Sequence, residues 1–297
     1  MTAPALTYTG RSISILMKII SVVGYKKSGK TSLVTALVRK LSDFGTVGTV
    51  KHIGEQSLNP VETDTGRHFD ASADMVIGIT GTKITGTELV SFSRDQDLEA
   101  ALDMLCNQGF DFAVVEGFKE SNLPKIVLGE LQGVSSVVLR LPEMHTDEEL
   151  SATLVEIALS QPDYFTLEAL VKKARKNPAI KKAGAIGTFT GIVREMTGKE
   201  KTSWLEFEKY EPEASKTLDR IKEELKKKEG IVEVLIHHKT GLIRAGEDIV
   251  YIVIASAHRT ELFPALSEAI ERIKAEVPIW KKEFTEKEEF WVHNKEQ

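Results

Sequence analysis

The chain has 297 residues, of which 41% are hydrophobic and 28% charged, and a formal net charge of −5 at pH 7. That length accommodates two domains that each bury a core, while the acidic balance argues against nucleic acid as main partner, whose usual footprint is a basic excess. The single cysteine, Cys106, forms no internal disulfide and suits a reducing cytoplasm, and no apolar run approaches the ~20 residues that span a bilayer.

Residues 1–16 read as a flexible tail without the apolar segment of a secretory peptide, and Met17 opens MKIISVVGYKKSGKT, which reads as a natural start. Lys18–Val23 is a short apolar run of the kind that fills a buried parallel strand. A helix follows from Lys30 to about Ser42, with Leu33, Leu37 and Leu41 on one face. Further strands are expected at Gly48–His52, Met75–Ile79, Glu88–Ser91, Phe112–Glu116, Lys125–Leu128 and Ser136–Leu141. Cys106 lies in DLEAALDMLC, an amphipathic helical run where it packs as a small hydrophobe. The alternation predicts an α/β domain over 17–160 with a mostly parallel sheet. Residues 161–183 read as a helical linker broken at Pro162 and Pro178. From 184 to 297 an α+β domain is expected, in a βαββαβ-like order: strands at Gly184–Val193, Ile231–His237 and Ile249–Ala255, helices at 212–229 and Thr260–Glu276.

The first constellation is Gly24-Tyr25-Lys26-Lys27-Ser28-Gly29-Lys30-Thr31, which matches G-x-x-x-x-G-K-[ST] between a strand and a helix. Glycines let backbone N–H groups curl around phosphate oxygens at a helix N-terminus. Lys30 is placed to reach the β and γ phosphates and Thr31 to ligate Mg²⁺, and Ser32 completes the nucleotide-binding set. Glu116, at the end of an apolar strand, is a second metal-side acid, and Asp64 and Arg67 are an acid and a cation for the same phosphates. The second constellation is cationic. Arg194, His258, Arg259, Lys274, Lys281 and Lys282 stand beside apolar runs rather than in solvated charge patches, which suits a small phosphorylated substrate. Taken alone, these residues leave open a small-molecule kinase and a non-catalytic nucleotide-dependent scaffold.

Two resemblances narrow the choice. GYKKSGKTSL, TVKHIG, ETDTGRH and VVEGFK, in that order, resemble the MobB family, P-loop GTP-binding adaptors of molybdopterin-guanine dinucleotide biosynthesis. The resemblance implies GTP with Mg²⁺ as ligand, at most a weak GTPase, and a MobA-like guanylyltransferase as partner. GAIGTFTGIVRE, LEFEKYEPEA, HHKTGLIRAGED, IASAHRTELFPAL and IKAEVPIWKKE, closed by FWV, resemble MoaE, the catalytic large subunit of molybdopterin synthase. This implies a sulfurtransferase that converts cyclic pyranopterin monophosphate to molybdopterin, with sulfur supplied as a thiocarboxylate on a ubiquitin-like small subunit (MoaD). It also implies a homodimer through this domain and no resident metal there. By motif match Lys274 and Lys281 are catalytic, and Arg194, His258 and Arg259 bind substrate. The family has His-Arg where this chain has His238-Lys239, so Lys239 is not carried over.

Overall fold

A computed structural model describes residues 17–52, 71, 73–79, 97–142, 147–197, 200–285 and 288–292. The strand expected at Glu88–Ser91, and the candidates Asp64 and Arg67, lie outside the described residues. The chain divides into two compact units, 1–169 and 170–297.

The first unit is built on β1 (Met17–Gly24), α1 (Lys30–Leu41), β2 (Val47–His52), β3 (Met75–Ile79), α2 (Asp97–Gln108), β4 (Phe112–Glu116), β5 (Lys125–Leu128), β6 (Val137–Leu141), α3 (Glu148–Ser160) and the short β7 (Asp163–Tyr164). Its strands run in the order β3-β2-β4-β1-β5-β6, all parallel, with β7 antiparallel on β1. Strands this apolar require both faces covered. Ile20, Val22, Val114, Ile126 and Leu128 pack against α1 and α3 on one face. Ile19, Val50, Ala113 and Val115 pack against Ala101, Leu102 and Leu105 of α2 on the other. Cys106 is buried in that second layer, and burial raises its thiol pKa, which leaves it a packing residue.

Two helical segments, α4 (Leu167–Lys176) and a 3₁₀ segment (Pro178–Lys182), precede β8 (Ala185–Ile192). The second unit continues with β9 (Met196–Thr197), β10 (Glu200–Lys209), α5 (Glu213–Lys226), β11 (Ile231–His238), β12 (Gly241–Arg244), β13 (Asp248–Ser256), α6 (Arg259–Glu276), β14 (Ile279–Thr285) and β15 (Glu289–Val292). The α+β class stands, but the βαββαβ-like single sheet does not. Among the described residues there are two antiparallel sheets, β11-β13-β8 and β12-β10-β14-β15 with β9 beside β10. Strands β10 (EKTSWLEFEK) and β14 (IWKKEFT) carry too many charged residues to read as strands from hydrophobic pattern, and β12 and β15 are only four residues long. Helices α5 and α6 cover one face of the three-stranded sheet through Leu218, Ile221, Leu225, Leu262, Ala269 and Ile273 against Val234, Ile236, Ile252 and Ile254. The second sheet has its own core of Leu205, Phe207 and Ile243, with Val193.

Adjacent histidines close β11. Burial pushes His237 down to about 2, helped by the charge of Lys209, and pushes His238 down to about 4 against an opposing hydrogen bond to the Lys239 carbonyl. Both folded values lie below the unfolded value of about 6.5, so the unfolded chain takes up protons that the folded one refuses. Stability is therefore full above about pH 6.5 and falls as the pH drops towards 4. All three tryptophans, Trp204, Trp280 and Trp291, lie in the second unit, so their fluorescence reports its unfolding. The denaturant midpoint so measured is expected to fall between pH 7 and pH 5, and the fall to shrink in His238→Phe; a midpoint independent of pH in the wild type contradicts this account.

Candidate functional site

The loop joining β1 to α1 has the backbone that a phosphate cradle needs. Gly29 adopts φ 92° and Lys27 φ 65°, and the first turn of α1 carries no acidic residue to offset its partial positive charge. Gly24 is required by contact, because a Cβ there would stand 2.7 Å from Ser28 Oγ and 2.9 Å from the Leu128 carbonyl. Lys30 Nζ donates to the Tyr25 carbonyl across the loop at 2.6 Å. The Ser28 hydroxyl is buried with no hydrogen-bond partner among the described residues, and native proteins rarely leave such a group unsatisfied. Tyr25, Lys26, Lys27 and Ser32 are exposed around this loop. The donor set fits a bound polyphosphate.

Beside it stands an acid. Parallel pairing of β4 between β1 and β2 sets Glu116 opposite Val22 and Lys51. The Thr31 hydroxyl donates to the Glu116 carboxylate, 3.1 Å from each oxygen. Lys51 Nζ is 3.1 Å from Oε1, with side-chain exposures of 10% for Lys51 and 6% for Glu116. A carboxylate buried this deeply needs such partners. Lys51 was not singled out in the sequence; its signal is its place in TVKHIG at a strand end, in register with the acid. A cavity of about 310 Å³ adjoins the loop, lined by Gly24, Tyr25, Lys26, Phe118, Lys119 and Leu131.

In the second unit a cavity of about 540 Å³ is lined from both sheets and from the last turns of α6. Strand alternation organises it. On β14, Lys281 and Glu283 face inward opposite Phe207 and Leu205 of β10 and Val292 and Phe290 of β15. Trp280 and Lys282 take the other face, where Trp280 is half exposed. Arg194, just past the end of β8, and Lys274, in the last turn of α6, line the same cavity. Three of the six expected cations thus converge, and Lys282 is not among them. Burial holds the Lys281 ammonium below its ordinary pKa, Glu283 opposing and Arg194 reinforcing the shift. Lys274 is exposed and pairs with Glu271 at 3.4 Å.

His258 and Arg259 are not brought there. They are exposed at the N-terminal end of α6, His258 as its N-cap. Fifteen residues separate Arg259 from Lys274, or about 22 Å of helix. Three lining residues escaped the sequence reading. Glu283 is buried and accepts a hydrogen bond from Thr202, also buried, and His238 lines the wall. Alternation along W-K-K-E would have found Glu283, which lies two residues from Lys281. Among the described residues no group of three or more His, Cys, Asp and Glu side chains is arranged to hold a metal, and no helix is long and apolar enough to cross a membrane.

Both halves match known families. The family described as molybdopterin guanine dinucleotide synthesis protein B, MobB, matches residues 19–146, and the MoaE protein family matches residues 160–276. A Haloferax volcanii protein named probable molybdopterin synthase is 36% identical over 281 residues, covering 94% of this chain and 100% of its own. The molybdopterin synthase catalytic subunit of Bacillus subtilis is 43% identical over 42% of this chain and 77% of its own. The crystal structure of molybdopterin synthase from Staphylococcus aureus is 41% identical, covers 38% of this chain and 83% of that one, and superposes with a TM-score of 0.37. The chain belongs to the molybdopterin synthase family and joins a MobB-type P-loop domain to a MoaE-type catalytic domain in one polypeptide of molybdenum cofactor biosynthesis.

Proposed function

We propose that the second unit converts cyclic pyranopterin monophosphate to molybdopterin with sulfur from a thiocarboxylated, ubiquitin-like small subunit. The observation that carries this reading is the convergence of Arg194, Lys274 and Lys281 on one cavity between two sheets. An anionic pterin phosphate and an anionic thiocarboxylate both need cations there, and an apolar wall of Phe189, Leu205, Phe207 and Ile252 strengthens every charge interaction by excluding water. Lys281, in the cavity wall with Arg194, helps fix the anionic substrate. Lys274 stabilises the charge that develops on the acyl oxygen as sulfur leaves. Arg194 offers a planar fork to the phosphate. Replacing Lys274 or Lys281 by Ala is expected to lower sulfur transfer from the thiocarboxylated carrier ~100-fold or more, measured as dithiolene product per minute; wild-type rates in both variants would sink this assignment.

His258 and Arg259 join the substrate site by way of a second copy, since about 22 Å of helix separates them from Lys274 in one chain. The active form is then a homodimer through the second unit. Arg259→Ala and Lys274→Ala chains, each inactive alone, should regain about a quarter of wild-type activity when co-refolded. No recovery would place Arg259 outside the site.

The first unit binds GTP with Mg²⁺ and assists formation of the guanine dinucleotide by a MobA-like guanylyltransferase, acting at most as a weak GTPase in the cytoplasm. Thr31 would hold the metal, with Glu116 beside it, and the metal would supply charge neutralisation at the β and γ phosphates. Ser28 and the loop N–H groups bind phosphate, and Lys30 exchanges its Tyr25 carbonyl for phosphate oxygen. Lys30→Ala should weaken GTP binding at least ~100-fold by calorimetry while dithiolene formation stays unchanged. Undiminished GTP affinity would remove the loop from the nucleotide site.

A further inference from the structure

The cavity of the second unit holds a proton acceptor that neither the motifs nor the assigned cations account for. His238, the last residue of β11, is 8% exposed and lines the same space as Arg194, Lys274 and Lys281. Its ring is pinned. Nδ1 lies 2.6 Å from the Lys239 carbonyl oxygen, its edge meets Phe207 with centroids 5.2 Å apart at 68°, and Lys209 Nζ clamps its own carbonyl at 2.7 Å. A carbonyl only accepts, so Nδ1 carries the ring proton and Nε2 keeps its lone pair. Nε2 makes no hydrogen bond among the described residues.

The chemistry proposed for this cavity needs such a group. A thiocarboxylate sulfur that has attacked the pterin becomes a thioester, still joined to the carrier through the acyl carbon. Water must cleave that bond, and the cations cannot take its proton while they stabilise anions. Of the other acceptors lining the cavity, Glu283 is engaged by Thr202 and Glu200 is solvent-exposed. We propose that His238 Nε2 is the general base of thioester hydrolysis, a role that rests on the sulfur-transfer reading above. The water oxygen bonds to the acyl carbon, its proton passes to Nε2, and the C–S electron pair leaves on sulfur. The carrier departs with a carboxyl group and the pterin retains a thiolate; no oxidant or reductant is consumed. Burial, opposed by the Lys239 carbonyl and reinforced by Lys209, keeps the ring neutral at pH 7. An anionic reactant beside the ring favours its protonated form and so raises its basicity.

The test uses the full chain, cyclic pyranopterin monophosphate and a thiocarboxylated carrier, quenched at intervals and read by intact mass spectrometry. In His238→Phe, which keeps a ring against Phe207, and in His238→Ala, sulfur attack should stay within about threefold of wild type. Release of the carrier should slow ~100-fold, so the carrier–pterin adduct accumulates. Added imidazole should restore release by His238→Ala at least tenfold. Wild-type release in both variants, or equal loss of attack and release without imidazole rescue, overturns the proposal. Nitrogen-15 NMR of the wild-type ring supplies a reading that needs no variant: Nε2 must be unprotonated at pH 7, and a protonated Nε2 overturns the proposal. If the wild type forms no dithiolene the sulfur-transfer reading itself fails, whereas wild-type product with no adduct in the variants removes only His238.

Discussion

The second unit depends on one constraint, the twofold alternation of side chains along β14. Lys281 and Glu283 are committed to the space between the sheets because Ile279 on the same face anchors the apolar core and Trp280 and Lys282 cannot also turn inward. A slip of one residue would bury Trp280 and Lys282 and expose the two charges. Burying charge is costly without partners, and here Thr202 engages Glu283 while Glu283 itself faces the Lys281 ammonium. Arg194 and Lys274 enter from other elements, so the cation cluster forms only when β8, α6 and β14 are docked together. Fold and site are thus the same packing problem.

A related arrangement governs the first unit. Parallel pairing of β1, β4 and β2 brings Thr31, Glu116 and Lys51 into one buried chain of polar contacts at the carboxyl ends of the strands. That is where α/β sheets place their ligands. The loop has glycine where a Cβ would strike Ser28 and the Leu128 carbonyl, and its buried Ser28 hydroxyl has no partner among the described residues. The two units gather different donors: backbone N–H groups at a helix terminus in one, side-chain cations in an apolar wall in the other.

Much of the first unit was legible in sequence, because strands such as FAVVE and KIVL are covered on both faces and read as unbroken apolar runs. The phosphate loop was legible for a different reason, since its fixed glycines and Lys30 answer to backbone geometry. The second sheet of the second unit was not. In β10, EKTSWLEFEK, the outward face carries Glu206 and Glu208 and the inward face ends in half-buried Lys209, whose ammonium finds the His238 carbonyl. In β14, IWKKEFT, the inward face carries Lys281 and Glu283, so the hydrophobic pattern fails where the strand lines the cavity. Cross-strand register, not composition, reveals Glu283 and His238. The positions of His258 and Arg259 at a helix start and of Lys274 near its end were both readable in sequence, and the continuous 18-residue α6 holds them at opposite ends.

The central claim is that the cation-lined cavity of the second unit builds the dithiolene of molybdopterin. The most direct test mixes the purified chain with cyclic pyranopterin monophosphate and a thiocarboxylated small subunit, with and without GTP, and measures dithiolene product. The account predicts product in both mixtures, because the cavity and the nucleotide loop belong to separate units; absence of product in both would contradict it.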